Sequence, residues 1–96
     1  MQPTLLVVDD DTSNLASLVK IFEKLEIRTL AATSGHEALD VIRNKQVGVI
    51  LTDLMMPNMS GVELLKNTKD LSPDTEVILM TAYGTIEIAV EAMREG

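Results

Sequence analysis

A doubly wound α/β fold with an open parallel sheet is predicted by three features of this 96-residue sequence. Short apolar runs alternate with amphipathic stretches of helical period. The runs are apolar throughout rather than at every second residue, as expected for strands covered on both faces. The alternation repeats four times with no linker, internal repeat or low-complexity stretch between the units.

Taken in order, Thr4 to Val8 (Thr-Leu-Leu-Val-Val) reads as a buried strand. Leu15, Leu18, Val19, Phe22 and Leu25 then recur three and four residues apart, the spacing of one helix face. Ile27 to Ala32 is a second strand. Ser34-Gly-His-Glu37 has capping-box spacing, in which the Ser hydroxyl accepts a free helix-start N–H while Glu reaches back. The helix it opens carries Ala38, Leu39, Val41 and Ile42 inward. Val47 to Thr52 is a third strand. Ser60-Gly-Val-Glu63 is a second capping box, with Val62 and Leu65 expected to face the core. Glu76 to Met80 forms a fourth strand, and Ile86, Ala89, Val90 and Met93 form a fourth helix face.

Ninety-six residues fit one small domain, residues 1–96. Hydrophobic residues make up 46%, which suits a packed globule and not a disordered chain. Phe22 and Tyr83 are the only aromatic residues, so the core rests on Leu, Ile, Val, Ala and Met. The net charge of -7 disfavours direct contact with nucleic acid or an anionic membrane and suits a cation. Without cysteine there is neither disulfide nor thiolate chemistry, and a reducing cytoplasm is the expected location. The apolar run Leu5 to Val8 is too short for a signal peptide, and no stretch approaches the roughly 20 apolar residues of a membrane span.

In open parallel sheets, ligands bind beyond the carboxyl ends of the strands. The first strand ends in Asp9, Asp10 and Asp11, the third in Asp53, and the fourth in Thr81. These ends share one rim, so carboxylates from two strands converge there. Two unit charges 4 Å apart repel by about 4 kcal/mol at an effective dielectric near 20. Clustered carboxylates therefore call for a cation, and oxygen-only ligands without His or Cys select a hard ion such as Mg²⁺. Acidic residues at strand ends also cap helices, and Asp11 fits that role alone. A helix start needs one cap, however, so capping does not account for the whole cluster.

Leu-Val-Val-Asp-Asp-Asp (6–11), Leu-Thr-Asp-Leu-Met-Met-Pro (51–57) and Met-Thr-Ala-Tyr-Gly (80–84) resemble the signatures of response-regulator receiver domains of two-component signalling. The stretches at 53–61 and 81–85 are most similar to NtrC-type receivers, which control transcription activators carrying an ATPase domain. The resemblance runs over the whole chain. It implies a flavodoxin-like, CheY-like sheet of strand order 2-1-3-4, with a fifth strand and helix that complete family members possess. It makes Asp53 the phosphoryl acceptor and Asp9 and Asp10 the acid pair for Mg²⁺, with Asp10 the more direct ligand. The Met55 backbone carbonyl would be a further ligand, Thr81 the switch hydroxyl, and Pro57 and Gly61 residues that shape the loop after the acceptor. The donor would be a phosphohistidine of a sensor histidine kinase, and the recipient of the signal an output ATPase and DNA-binding domain.

The family's phosphate-pairing Lys at the end of strand five has no counterpart here, since the last Lys is Lys69 and Arg94 is the only basic residue after it. The chain reads as a receiver incomplete at its C-terminal end. Its fourth strand would be an open edge, and part of the sheet face shared with the first helix would be uncovered, which implies a homo-oligomer. Tyr83, Ile88 and Ala92 are candidates for a partner surface, and Met55, Met56 and Met59 for an adaptable patch. His36, Lys66 and Lys69 are expected to be solvated helix positions. Two other functions fit part of the pattern. A non-phosphorylated interaction module would keep the fold alone. A haloacid-dehalogenase-type phosphatase would use Asp9 as its nucleophile, since Asp9-Asp10-Asp11-Thr12 approaches that family's Asp-x-Asp-x-Thr.

Overall fold

The computed structural model describes residues 3–80 and, beyond them, Ala89, Val90, Met93 and Arg94. The expectations for Thr81, Tyr83, Ile86, Ile88 and Ala92 lie outside the described residues. Strands and helices alternate as β1 (Leu5–Val8), α1 (Thr12–Lys24), β2 (Thr29–Ala32), α2 (Gly35–Asn44), β3 (Val49–Asp53), α3 (Gly61–Leu71) and β4 (Glu76–Met80). The strands are parallel in the order β2-β1-β3-β4, the predicted topology. β4 is the outer strand among the described residues.

Side-chain alternation in β1 sorts the core into two clusters, one on each face of the sheet. Leu5 and Val7 join Val49 and Leu51 of β3 under Leu15, Leu18 and Phe22 of α1. Leu6 and Val8 join Ile50 under Ala38 and Leu39 of α2, Leu64 of α3, and Met59. All four β1 residues are buried, which is why that strand carries no polar side chain. Full burial of a Leu, Ile or Phe contributes about 2 kcal/mol, so β1 and its cover supply much of the driving force.

On the α1 face, the helical residues Ala89 and Met93 are buried in the same cluster as Leu15, Leu18 and Phe22, with Val90 packed against it. They cover some of the sheet face that was expected to be open beside the first helix, where Ile78 and Met80 of β4 stay half-buried.

Several local expectations shift for identifiable reasons. Ile27 does not extend the second strand, because its N–H bonds the Phe22 carbonyl at 3.1 Å. The Glu26 N–H meanwhile bonds the Glu23 carbonyl at 2.9 Å, and Glu26 has φ 62°, completing a Schellman end to α1. Leu25, expected on the inner face, is the C-cap of this turn and is exposed. In α3 the buried positions are Gly61, Leu64 and Thr68, while Val62 is exposed and Leu65 only half-buried. The close seat of Gly61 against the sheet sets that helix's rotation. Both Ser caps form. Ser60 and Glu63 make the reciprocal box, whereas Glu37 bypasses Ser34 and accepts from the Thr33 backbone and hydroxyl at 3.3 and 2.8 Å.

At the amino end of the sheet, Thr75 is buried and donates from Oγ1 to the Val47 carbonyl at 2.8 Å. Its hydroxyl also lies 2.7 Å from Ser72 Oγ, and its carbonyl accepts from Lys69 Nζ at 2.6 Å. Lys69 is an exposed position of α3, as expected, and its Nζ is in addition tied to the start of β4.

Candidate acid site at the carboxyl rim

The registers of the parallel ladders place the site. Val8 lies opposite Thr52 and Asp53 opposite Met80, so the residue after β1, Asp9, shares a row with Asp53 at the end of β3. One oxygen from each of Asp9, Asp10 and Asp53 falls within a group whose members all lie within 4.8 Å of one another. Asp9 is buried, Asp53 half-buried and Asp10 exposed, so the cluster opens to solvent on one side. Among the described residues the one ion pair is Arg43–Asp40 on the surface of α2, and no Lys or Arg there neutralises the three acids.

Asp9 is held from several directions. Its N–H donates to the Ala32 carbonyl at 3.2 Å. Its Oδ1 accepts the Asp11 N–H at 2.9 Å, and its Oδ2 accepts Asn14 Nδ2 at 2.6 Å. Asp11 does not join the cluster. It is the N-cap of α1, accepting from the Ser13 and Asn14 N–H groups at 3.0 and 3.1 Å, as the capping reading expected. The positive end of the α1 dipole adds a modest stabilisation of the acids beside it.

Asp53 is far less constrained. Among the described residues its Oδ1 faces only the Met55 N–H, at 3.4 Å. The loop after it is instead fixed through backbone and packing. The Gly61 N–H donates to the Leu54 carbonyl at 2.9 Å, and a Cβ on Gly61 would stand 2.5 Å from the Asp53 carbonyl oxygen. Only glycine permits that approach. The Pro57 carbonyl accepts the Met59 N–H at 2.8 Å across Asn58, whose φ of 69° makes this a tight γ-turn. Met59 packs onto Gly35 at the start of α2, where a Cβ would come 2.6 Å from its sulfur.

Of the predicted site residues, Asp9, Asp10 and Asp53 are brought together, and Pro57 and Gly61 shape the adjoining loop. The methionines part company. Met55 is 77% exposed beside the acids, whereas Met59 is core and Met56 packs against it, so the three do not make one patch. Asn14 was not picked out by sequence. A single Asn five residues after an Asp carries no pattern of its own, and only the cap geometry of α1 brings it to Asp9.

With the fold and this rim in view, the likeness to known proteins is specific. A family model described as the response regulator receiver domain matches residues 5–96. The chain belongs to that family, as the receiver domain of a two-component response regulator. The transcriptional regulatory protein ZraR of Klebsiella oxytoca is 38% identical over 95 residues, covering 99% of this chain and 21% of ZraR. The chain thus spans about a fifth of that relative's length. Sporulation initiation phosphotransferase F of Bacillus subtilis is 33% identical over 96 residues, 77% of its length. The crystal structure of FixJ-N superposes with a TM-score of 0.78 at 35% identity, over all of this chain and 77% of that one. TrrA of Thermotoga maritima, solved in complex with Mg²⁺ and BeF, gives 0.78 at 28% identity, over 85% and 71% of the two chains. Receiver domains are phosphoacceptors rather than enzymes in the usual sense, and they bind Mg²⁺ at an acidic pocket.

Proposed function

We propose that Asp53 accepts a phosphoryl group from a phosphohistidine of a sensor histidine kinase, with Mg²⁺ bound beside it, and that the modified domain switches an output ATPase and DNA-binding region. The observation that carries this is the convergence of three carboxylate oxygens within 4.8 Å with no cationic side chain among the described residues to offset them. The donor set is all oxygen and open on one side, which fits Mg²⁺ and leaves room for a phosphoryl oxygen. Asp9, Asp10, Asp53 and the Met55 carbonyl would hold the ion. When bound, it neutralises charge on the transferring group and on the acids.

Among the described residues Asp53 Oδ2 accepts no hydrogen bond, which suits the carboxylate to attack. Its Oδ attacks phosphorus, an O–P bond forms as the P–N bond of the phosphohistidine breaks, and the imidazole leaves with its electron pair. The product is an acyl phosphate, which water later cleaves. Asp9, buried with both oxygens already accepting, suits a fixed acceptor and not a nucleophile, which speaks against the phosphatase reading. Thr81 would bond the phosphoryl oxygen as the switch hydroxyl. Tyr83, Ile88 and Ala92 remain the proposed partner surface.

Acetyl phosphate with Mg²⁺ should add one phosphoryl group to the chain, and Asp53→Asn should abolish the addition. A labelled Asp53→Asn protein would show that the acceptor lies elsewhere. A folded, Mg²⁺-binding chain that is never labelled would favour the interaction-module reading. Self-association through the outer strand β4 belongs to the same proposal, and light scattering across a dilution series reads it directly. A 10.5 kDa species at every concentration would remove it.

A further inference from the structure

We infer that Asn14 is a positioning residue of the Mg²⁺ site, acting through Asp9; the inference rests on the reading of that site given above. Three observations lead there. Asp9 is 2% exposed, so its carboxylate cannot rely on bulk water to satisfy or orient it. Its two oxygens are each met by a donor from the first turn of α1: the Asp11 N–H on Oδ1 and Asn14 Nδ2 on Oδ2, the latter at 2.6 Å. The Asn14 backbone N–H is itself fixed by the Asp11 cap at 3.1 Å, so its side chain starts from a determined position.

The physical consequence concerns rotation. A carboxylate held at one oxygen can still swing its other oxygen about the Cβ–Cγ bond. A donor on each oxygen fixes the plane. With the plane fixed, each oxygen keeps accepting capacity, and one of the two stays within 4.8 Å of an oxygen of Asp10 and of Asp53. A neutral amide does this without adding charge. A Lys or Arg in its place would neutralise Asp9 and compete with the cation, and an Asp or Glu would add to the repulsion. Asn14 therefore orients the one buried acid and leaves the negative field of the site in place. Partners that orient metal-binding side chains typically change metal affinity by 10–100-fold when removed.

The test is a double-mutant cycle on the 96-residue chain, with Mg²⁺ affinity read from backbone amide resonances during a Mg²⁺ titration. Asn14 is an exposed helix position and alanine is a good helix former, so Asn14→Ala should fold, with a lowered melting temperature in the absence of metal because Asp9 Oδ2 loses its donor. It should also bind Mg²⁺ about tenfold more weakly than the parent. In an Asp9→Asn background the same Asn14→Ala change should shift the affinity less than about twofold, because there is no carboxylate left to orient. A parent-like Mg²⁺ affinity for Asn14→Ala would overturn the inference. So would an undiminished tenfold loss in the Asp9→Asn background, since Asn14 would then act by another route. A parent chain that does not respond to Mg²⁺ at all would remove the site reading itself, an outcome distinguishable from both.

Discussion

The two rims of the sheet are built from the same strands yet treat their polar groups in opposite ways. At the amino rim, where the strands begin, several donors and acceptors are matched. Thr75 bonds the Val47 carbonyl, Lys69 bonds the Thr75 carbonyl, and the Thr4 carbonyl takes the Gly48 N–H at 2.9 Å. At the carboxyl rim three acids stand together, and among the described residues Asp53 meets only one long contact. A polar group whose partners lie within the chain contributes to folding. One left short of partners costs folding stability and is available to a ligand. The acids left open to a ligand lie at the carboxyl ends of β1 and β3, away from the bonded turns where the strands begin.

The strongest attempt to break this division is Gly61→Ala. The added methyl would meet the Asp53 carbonyl at 2.5 Å and Leu79 Cδ2 at 3.0 Å, so backbone must move. We expect a loss of about 3 kcal/mol in chemical denaturation and weaker Mg²⁺ binding, since the displaced residue is Asp53 itself. Retained stability would mean that the loop gives way freely. Next in size is Thr75→Val, which keeps the shape, removes the bond to Val47 and leaves Ser72 without its neighbour. It should cost about 2 kcal/mol and leave the Mg²⁺ affinity as it was. A change in Mg²⁺ affinity on this variant would show that the rims communicate.

The sign reverses for Asp10→Asn. Removing one of three mutually repelling carboxylates should stabilise the metal-free chain by about 1 kcal/mol at low salt, with the gain shrinking as salt rises. The same change should reduce the stabilisation by saturating Mg²⁺, which for the parent reaches about 2.7 kcal/mol at 100 times the dissociation constant. A melting temperature lowered by Asp10→Asn without metal would mean that the acid is structural. The smallest effect is Glu26→Gly at the amino rim. Relieving the left-handed φ of 62° in the Schellman turn should raise stability by about 0.5 kcal/mol, with no effect on Mg²⁺.

The fold was legible because parallel strands covered on both faces must be apolar throughout, and Leu5 to Val8 and Val49 to Leu51 are. The acids were legible because strand ends in such a sheet share a rim. What escaped the sequence was rotation and local closure. Val62 and Leu65 suit an inward face by composition, but the contact of Gly61 with the Asp53 carbonyl turns α3 so that Leu64 and Thr68 point inward. Lys69 looks like any surface lysine until the turn at Ser72 folds the Thr75 carbonyl under it. Asn14 is in the same class, since its role exists only once the cap of α1 has formed.

The register of β1 has a bearing on which length changes this molecule can survive. Leu5 and Val7 serve one cluster and Leu6 and Val8 the other, while Val8 is locked opposite Thr52. One residue inserted or deleted between Leu5 and Val8 would exchange the two faces along part of the strand, and would also carry Asp9 about 3.3 Å along the strand axis relative to Asp53. The acids would then no longer share a row. A single indel in this strand is therefore not a graded perturbation, because packing and chemistry are indexed to the same four residues. Length variation in this fold should therefore be purged from β1.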